Sequence, residues 1–199
     1  MQERKRDYYY KKAKEEKFRS RAAYKLSQAV EKYHFIEYGD VVLDLGAAPG
    51  GWIQAARKIV SSKGFVLGVD MKSIEPFPQQ NIRTIIGDVA EQETLQQIKE
   101  LLPRKADAVI SDMSPNISGI WDLDHARQID LAQKALEIAL ETLRFSGSFF
   151  VKVFQGDMLD DFTKKVKEHF EVLMVIKPKA SRAKSSEMFL LGMRLKQRS

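Results

Sequence analysis

The sequence predicts an α/β fold, a parallel sheet covered by helices on both faces, and three observations carry that prediction. Short apolar runs rich in β-branched residues alternate with segments of helical periodicity along the chain, the pattern of strands joined by crossover helices. A Gly-rich turn, Gly46-Ala-Ala-Pro-Gly-Gly51, stands between the first of these runs and a helical segment. Acidic residues, Asp70, Asp88 and Asp112, close or follow the second, third and fourth runs, where open parallel sheets bind their ligands.

Residues 1–18 read as a basic N-terminal arm whose default state is flexible, and residues 19–199 as a single domain. Ser20 is placed to cap a helix running to about Tyr33, with Ala22, Leu26, Ala29, Val30 and Tyr33 as its buried stripe. Lys25 lies at the edge of that stripe, where a lysine usually snorkels to solvent. Val41 to Leu45 reads as a buried strand, and Gly51 to Ile59 as the helix after the turn. Strands follow at 65–69 and 82–86, then an amphipathic helix with Leu95, Ile98, Leu101 and Leu102 inward, then a strand at 106–110. The segment 117–123, with Gly119 and Trp121, reads as an irregular loop before a long helix from about Asp124 to Leu143. A strand at 148–154, a helix at 158–169 and a strand at 172–176 lead to a basic loop, 177–186, and a last strand from Glu187 to Leu195.

The turn after the first strand is a nucleotide-type binding corner, since strand, Gly-rich turn and helix N-terminus meet there. It departs from a dinucleotide fingerprint, because Ala47 and Ala48 follow Gly46 where a second glycine would be needed. A carboxylate at Asp70 suits two ribose hydroxyls, and Asp88 suits an adenine amino group. An ordered set of carboxylates with no phosphate cradle matches S-adenosylmethionine, whose sulfonium is cationic. A second feature is Lys152, set in the apolar run Phe149-Phe-Val-Lys-Val-Phe154. A buried ammonium is costly unless it is paired, and Asp112 would be its neighbour across the strand ends. Glu187 joins them if the last strand runs antiparallel.

Composition narrows the partners. The 199 residues are 44% hydrophobic and 30% charged, as in a soluble globular domain, and contain no run long enough for a membrane span and no secretory signal. With no cysteine and with His34, His125 and His169 scattered, no metal site is expected, and the chain is expected to be a cytoplasmic monomer. The net charge of +6 is concentrated: residues 1–25 carry ten Lys or Arg against four acids, interleaved with Tyr8, Tyr9, Tyr10, Phe18 and Tyr24. A second cluster comprises Lys177, Lys179, Arg182 and Lys184. Cations with aromatics between them point to a nucleic-acid partner.

Asp44-Leu-Gly-Ala-Ala-Pro-Gly-Gly-Trp52 and Ser111-Asp-Met-Ser-Pro-Asn116 resemble the motifs of the FtsJ/RrmJ family of S-adenosylmethionine-dependent RNA 2′-O-methyltransferases, over roughly Arg19 to Leu195. The resemblance implies the class I methyltransferase fold, Rossmann-like, with seven mostly parallel strands and an antiparallel last strand. It maps the family's Lys-Asp-Lys-Glu tetrad onto Lys25, Asp112, Lys152 and Glu187. Gly50, Gly51 and Trp52 are then expected to contact the cofactor through backbone and side chain. Asp70 should hold the ribose, Asp88 the adenine and Asp112 the methionine end, with Asp44 orienting the loop or the amino group at one remove.

A 2′-hydroxyl is a weak acid, so the site must align it and deal with its proton. Lys152 is the candidate base: Lys25 as a second cation favours its neutral amine, while Asp112 and Glu187 favour its charged form. A protonated Lys152 stabilising oxyanion charge is the alternative. An amino-group methyltransferase is disfavoured because Pro115 is flanked by Ser114 and Asn116 rather than by proline and an aromatic. The resemblance implies large-subunit ribosomal RNA, at a uridine and in an assembled particle, as the substrate, with transfer RNA as the runner-up. A noncatalytic RNA-binding relative is the rival from another class.

Overall fold

The computed structural model describes residues 2–181 and 185–197, with side chains from residue 8 onward. Its strands are β1 (Val41–Leu45), β2 (Phe65–Asp70), β3 (Ile82–Ile86), β4 (Ala106–Ser111), β5 (Leu143–Phe154), β6 (Phe170–Ile176) and β7 (Glu187–Leu195). The helices are α1 (Gln2–Glu15), α2 (Ala23–Tyr33), α3 (Gly51–Val60), α4 (Gln92–Leu101), α5 (Trp121–Thr142) and α6 (Leu159–His169). The strands form one seven-stranded sheet in the order β3-β2-β1-β4-β5-β7-β6. The first five in this order run parallel to one another, and β7 lies antiparallel between β5 and β6. This is the α/β architecture the periodicity predicts, and the antiparallel β7 brings Glu187 to the carboxyl ends of the other strands.

Alternation along the strands splits the core in two. Leu43, Leu45, Val109, Phe149, Val151 and Val153 point to the face covered by α4, α5 and α6. Val42, Ile110, Phe150, Phe189 and Leu191 point to the face covered by α2 and α3. β1 and β4 are buried along their whole length, which explains why their sequences are continuous apolar runs rather than alternating ones.

Several local expectations change. Ser20 is not the cap of α2: the residue before that helix is Ala22, with no side-chain cap bond, and Ser20 is drawn instead against Gly51. α5 begins at Trp121, inside the stretch expected to be loop. Asp124 accounts for this, because its carboxylate accepts from Ser118 N, Ser118 Oγ and Gly119 N and folds the preceding loop onto the helix start. β5 begins at Leu143, ahead of the expected Ser148, with a register shift opposite Ala106 and Ala108. Within the basic arm, α1 docks on α2 and the loop after β6, through Ala13 and Tyr9 against Tyr24 and Ala180. Of the second basic cluster, Arg182 and Lys184 lie outside the described residues. No helix among the described residues is long and apolar enough to cross a membrane.

Candidate active site

The turn after β1 is shaped by its neighbours. Gly46 N and Ala47 N both donate to Val69 O, at 2.9 and 3.1 Å, which ties the turn to the end of β2. Gly46 and Gly50 have φ of +76° and +107°, a region side chains disfavour. A Cβ on Gly46 would run into Met113, and one on Gly50 would lie 2.6 Å from Phe77 Cζ. The turn therefore has no room for other residues at these two points.

Three carboxylates sit around this turn. Asp70 accepts from Ala48 N at 2.9 Å through one oxygen and from Lys72 N at 2.8 Å through the other, joining the turns after β1 and β2. Each of its oxygens keeps a lone pair for a hydroxyl. Asp88 accepts from Ala90 N at 2.8 Å beyond β3. Asp44, inside β1, is fully buried, and neither carboxyl oxygen has a hydrogen-bond partner among the described residues. Burial pushes its carboxyl well above the ordinary range, and the nearby Asp112 and Asp70 charges push it further. Trp52 is placed differently from the expectation of a side-chain contact. Its ring is buried against Phe150 and Phe189, and its Nε1–H donates to Ala22 O at 2.8 Å. The stacking of three aromatics in the α2–α3 face claims the indole, leaving Trp52 only its backbone at the corner.

The predicted tetrad is brought together from four elements. Lys25 Nζ, on α2, lies 2.7 Å from Glu187 Oε1 and 2.9 Å from Oε2, and 3.9 Å from Asp112 Oδ1. Lys152 Nζ, on β5, donates to Asp112 O at 2.7 Å and lies 3.2 Å from Asp112 Oδ1. The Lys152 side chain is only 7% exposed and that of Lys25 12%, so neither simply escapes to solvent. Burial raises the Glu187 carboxyl, but the Lys25 charge and hydrogen bond, Lys152 and the Ser181 hydroxyl outweigh it and hold the group below its ordinary range. Glu187 is thus held ionised against Lys25, while Lys152 turns to Asp112. Two cations and two carboxylates in alternation can orient a hydroxyl, bind a developing charge or move a proton.

Three supporting residues were not legible beforehand. Gln128, on α5, donates to Lys152 O at 3.0 Å and Met113 O at 3.2 Å, fixing β5 to the loop that carries Asp112. Gln28, one turn after Lys25, donates to Tyr9 Oη at 2.9 Å and accepts from Ala180 N at 3.0 Å. It thereby joins α1, α2 and the loop before Glu187. Arg19 stacks on Phe77 at 3.8 Å and donates to Glu75 O and Pro76 O, closing over Gly50. A glutamine inside an apolar helical stripe was the available signal for Gln128; nothing local marked the other two.

Residues 18–195 match the family model described as FtsJ-like methyltransferase. A ribosomal RNA large subunit methyltransferase E from Methanocaldococcus jannaschii is 53% identical over 195 residues, covering 96% of this chain and 80% of that protein. A protein of the same name from Methanothrix thermoacetophila is 53% identical over 190 residues, covering 96% of this chain and 73% of that one. Among solved structures, one from Plasmodium falciparum described as a ribosomal RNA methyltransferase superposes with a TM-score of 0.80 at 26% identity, over 91% of this chain and 100% of that one. A Methanococcus jannaschii fibrillarin pre-rRNA processing protein shares the fold, with a TM-score of 0.62 at 14% identity over 88% of this chain and 77% of that one.

Proposed function

Because the chain belongs to the FtsJ-like methyltransferase family, we propose that it transfers a methyl group from S-adenosylmethionine to a ribose 2′-hydroxyl of RNA, at a uridine of large-subunit ribosomal RNA. The observation that supports it best is the buried Lys25–Glu187 and Lys152–Asp112 array beside a carboxylate-lined, Gly-cornered turn. The turn fits the cofactor on its own terms: Asp44 is a buried acid with no hydrogen-bond partner among the described residues, which suits a cation, and Gly46 and Gly50 leave backbone where a Cβ would collide. Asp70 would hold ribose hydroxyls, Asp88 the adenine and Asp112 the methionine end, with Gly50, Gly51 and the Trp52 backbone against it. When bound, S-adenosylmethionine supplies a methyl group already activated on a cationic sulfur.

The residues of the chain then have three tasks. The Lys25–Glu187 pair, joined by Ser181 Oγ at 3.0 Å, fixes the wall against which the ribose is oriented. Asp112 holds Lys152 Nζ in place through both its carbonyl and its carboxylate. Lys152 Nζ, held there, is placed to take the proton of the 2′-hydroxyl. Lys179, next to Ala180 in the loop that meets α1, and Lys11, Lys12 and Lys14 of α1 are suited to the RNA backbone.

The test uses labelled S-adenosylmethionine with large ribosomal subunits lacking the modification and, alongside, bulk transfer RNA. Label in subunit RNA as alkali-resistant dinucleotides is expected, with Lys152→Ala reducing the rate by about 10²- to 10⁴-fold. Label in transfer RNA alone would overturn the target, and full activity in Lys152→Ala would overturn the role of the lysine.

A further inference from the structure

Beyond the cofactor turn and the tetrad, the carboxyl edge of the sheet carries an aromatic stack that neither uses. The ring of Trp121, the first residue of α5, lies 6.0 Å from His125 at an interplanar angle of 14° and 6.0 Å from Phe154 at 23°. His125 and Phe154 are buried beneath it, whereas Trp121 is 47% exposed. The stack is held from below and from the side. His125 Nε2 accepts from Met158 N at 3.2 Å, and the Asp124 carboxylate pins the loop at Ser118 and Gly119. A folded chain ordinarily buries an indole or finds it a partner, and this one is built rigidly outward.

Its position gives it a use. Phe154 is two residues beyond Lys152, about 6.6 Å along an extended strand, and closes β5 at its carboxyl end. Phe154 is also directly opposite Glu187 in the β5–β7 register, while Lys152 is opposite Phe189. The stack therefore lies at the same carboxyl edge of β5 and β7 that carries Lys152 and Glu187. A flat, half-exposed π-face next to a basic ribose-handling site suits an unpaired nucleobase, since stacking on an aromatic supplies affinity without requiring a particular base. A purely aliphatic protein partner would gain nothing from the face-on backing of two further rings.

We infer that Trp121 is the stacking platform for an unpaired base of the RNA, at or next to the nucleotide that is methylated, an inference that rests on the RNA reading above. Binding requires the base to leave its helix, so the enzyme would take single-stranded or locally opened RNA and would bind a continuous duplex poorly.

The chain has two tryptophans, and the other, Trp52, is 3% exposed and enclosed by the core, so RNA-dependent changes in emission report on Trp121. A single-stranded uridine-rich oligoribonucleotide should quench the wild-type emission, the same sequence as a duplex should not, and Trp121→Phe should show no quenching. In methyl transfer, Trp121→Ala should lower kcat/KM by about 10- to 100-fold, mainly through KM. Trp121→Phe, which keeps a π-face, should stay within about threefold of wild type. S-adenosylmethionine affinity should be unchanged in both. Wild-type activity in Trp121→Ala, equal damage in Trp121→Phe and Trp121→Ala, or emission indifferent to RNA would each overturn the platform. If Trp121→Ala fails to fold, the quenching and the Phe variant still decide. Quenching without methyl transfer to any RNA would sink the proposed reaction and leave the platform standing. Loss of activity on whole subunits only, with no quenching by RNA, would assign the patch to a protein partner instead.

Discussion

Two buried aspartates on adjacent strands show how the two edges of this sheet differ. Asp107, near the start of β4, accepts from Val41 N at 2.7 Å, pairs with Arg104 Nη2 at 2.6 Å and accepts from Arg144 Nε. Burial raises its carboxyl, but Arg104, the Val41 amide and Arg144 outweigh that and hold it below the ordinary range. Asp44, inside β1 toward the other edge, is as buried and has no hydrogen-bond partner among the described residues, and its carboxyl is pushed the opposite way. Among the described residues, the amino edge satisfies its acid from within the chain and the carboxyl edge does not. A fold that must be stable and must also bind places these two needs at opposite ends of the same strands.

The largest effect should come from the satisfied acid. Asp107→Ala strands the Val41 amide and two guanidinium groups, and should lower stability by about 3 kcal/mol, read in denaturant. That corresponds to roughly 6–12 °C in Tm for a domain of this size. Because the folded pKa of Asp107 is depressed, its contribution is present above the ordinary carboxylate range and lost as pH falls through the folded value. The variant and wild type should therefore converge in acid. Equal stability at neutral pH would break the comparison.

Asp44→Asn should act in the other direction and more weakly. A raised folded pKa means the native state holds this proton more tightly, so Asp44 costs stability progressively as pH rises through the ordinary carboxylate range toward its folded value. The variant should gain about 1–2 kcal/mol near neutral pH and nothing in strong acid, seen as a higher Tm without ligand. The same variant should bind S-adenosylmethionine more weakly. A variant that is destabilised at neutral pH, with cofactor binding intact, would show that Asp44 serves the fold.

The sequence made the amino acids of this arrangement visible more readily than their contacts. The bounds of β1 follow from the run Val41-Val-Leu-Asp-Leu45, because burial along the whole strand demands local apolar continuity, and β3, half-buried or exposed throughout, was legible from its β-branched residues instead. Lys152 and Asp112 were legible from an ammonium in an apolar strand and an acid at a neighbouring strand end, whereas Lys25, which position alone marks as a snorkelling lysine, and Glu187 entered the set through the family resemblance. Gln28 and Arg19 were not legible, since their partners lie 152 and 56 residues away for the bonds to Ala180 and Glu75. Trp52 was misplaced for a related reason: a tryptophan in a binding motif says nothing about Phe150 and Phe189, which claim its ring from distant strands. The helical start of α5 depended on Asp124 reaching back to Ser118, a contact that a run of loop-forming residues conceals.

The most direct test of the open carboxyl edge is a calorimetric titration of S-adenosylmethionine into wild type and Asp44→Asn in buffers of different ionisation enthalpy. It is repeated at several pH values below the range in which a free α-amino group titrates. The predicted result is binding whose enthalpy changes with buffer in wild type, reporting proton release as Asp44 ionises against the bound cation, and much less so in the variant. Binding with one enthalpy in every buffer, or identical proton release from both proteins, would contradict it.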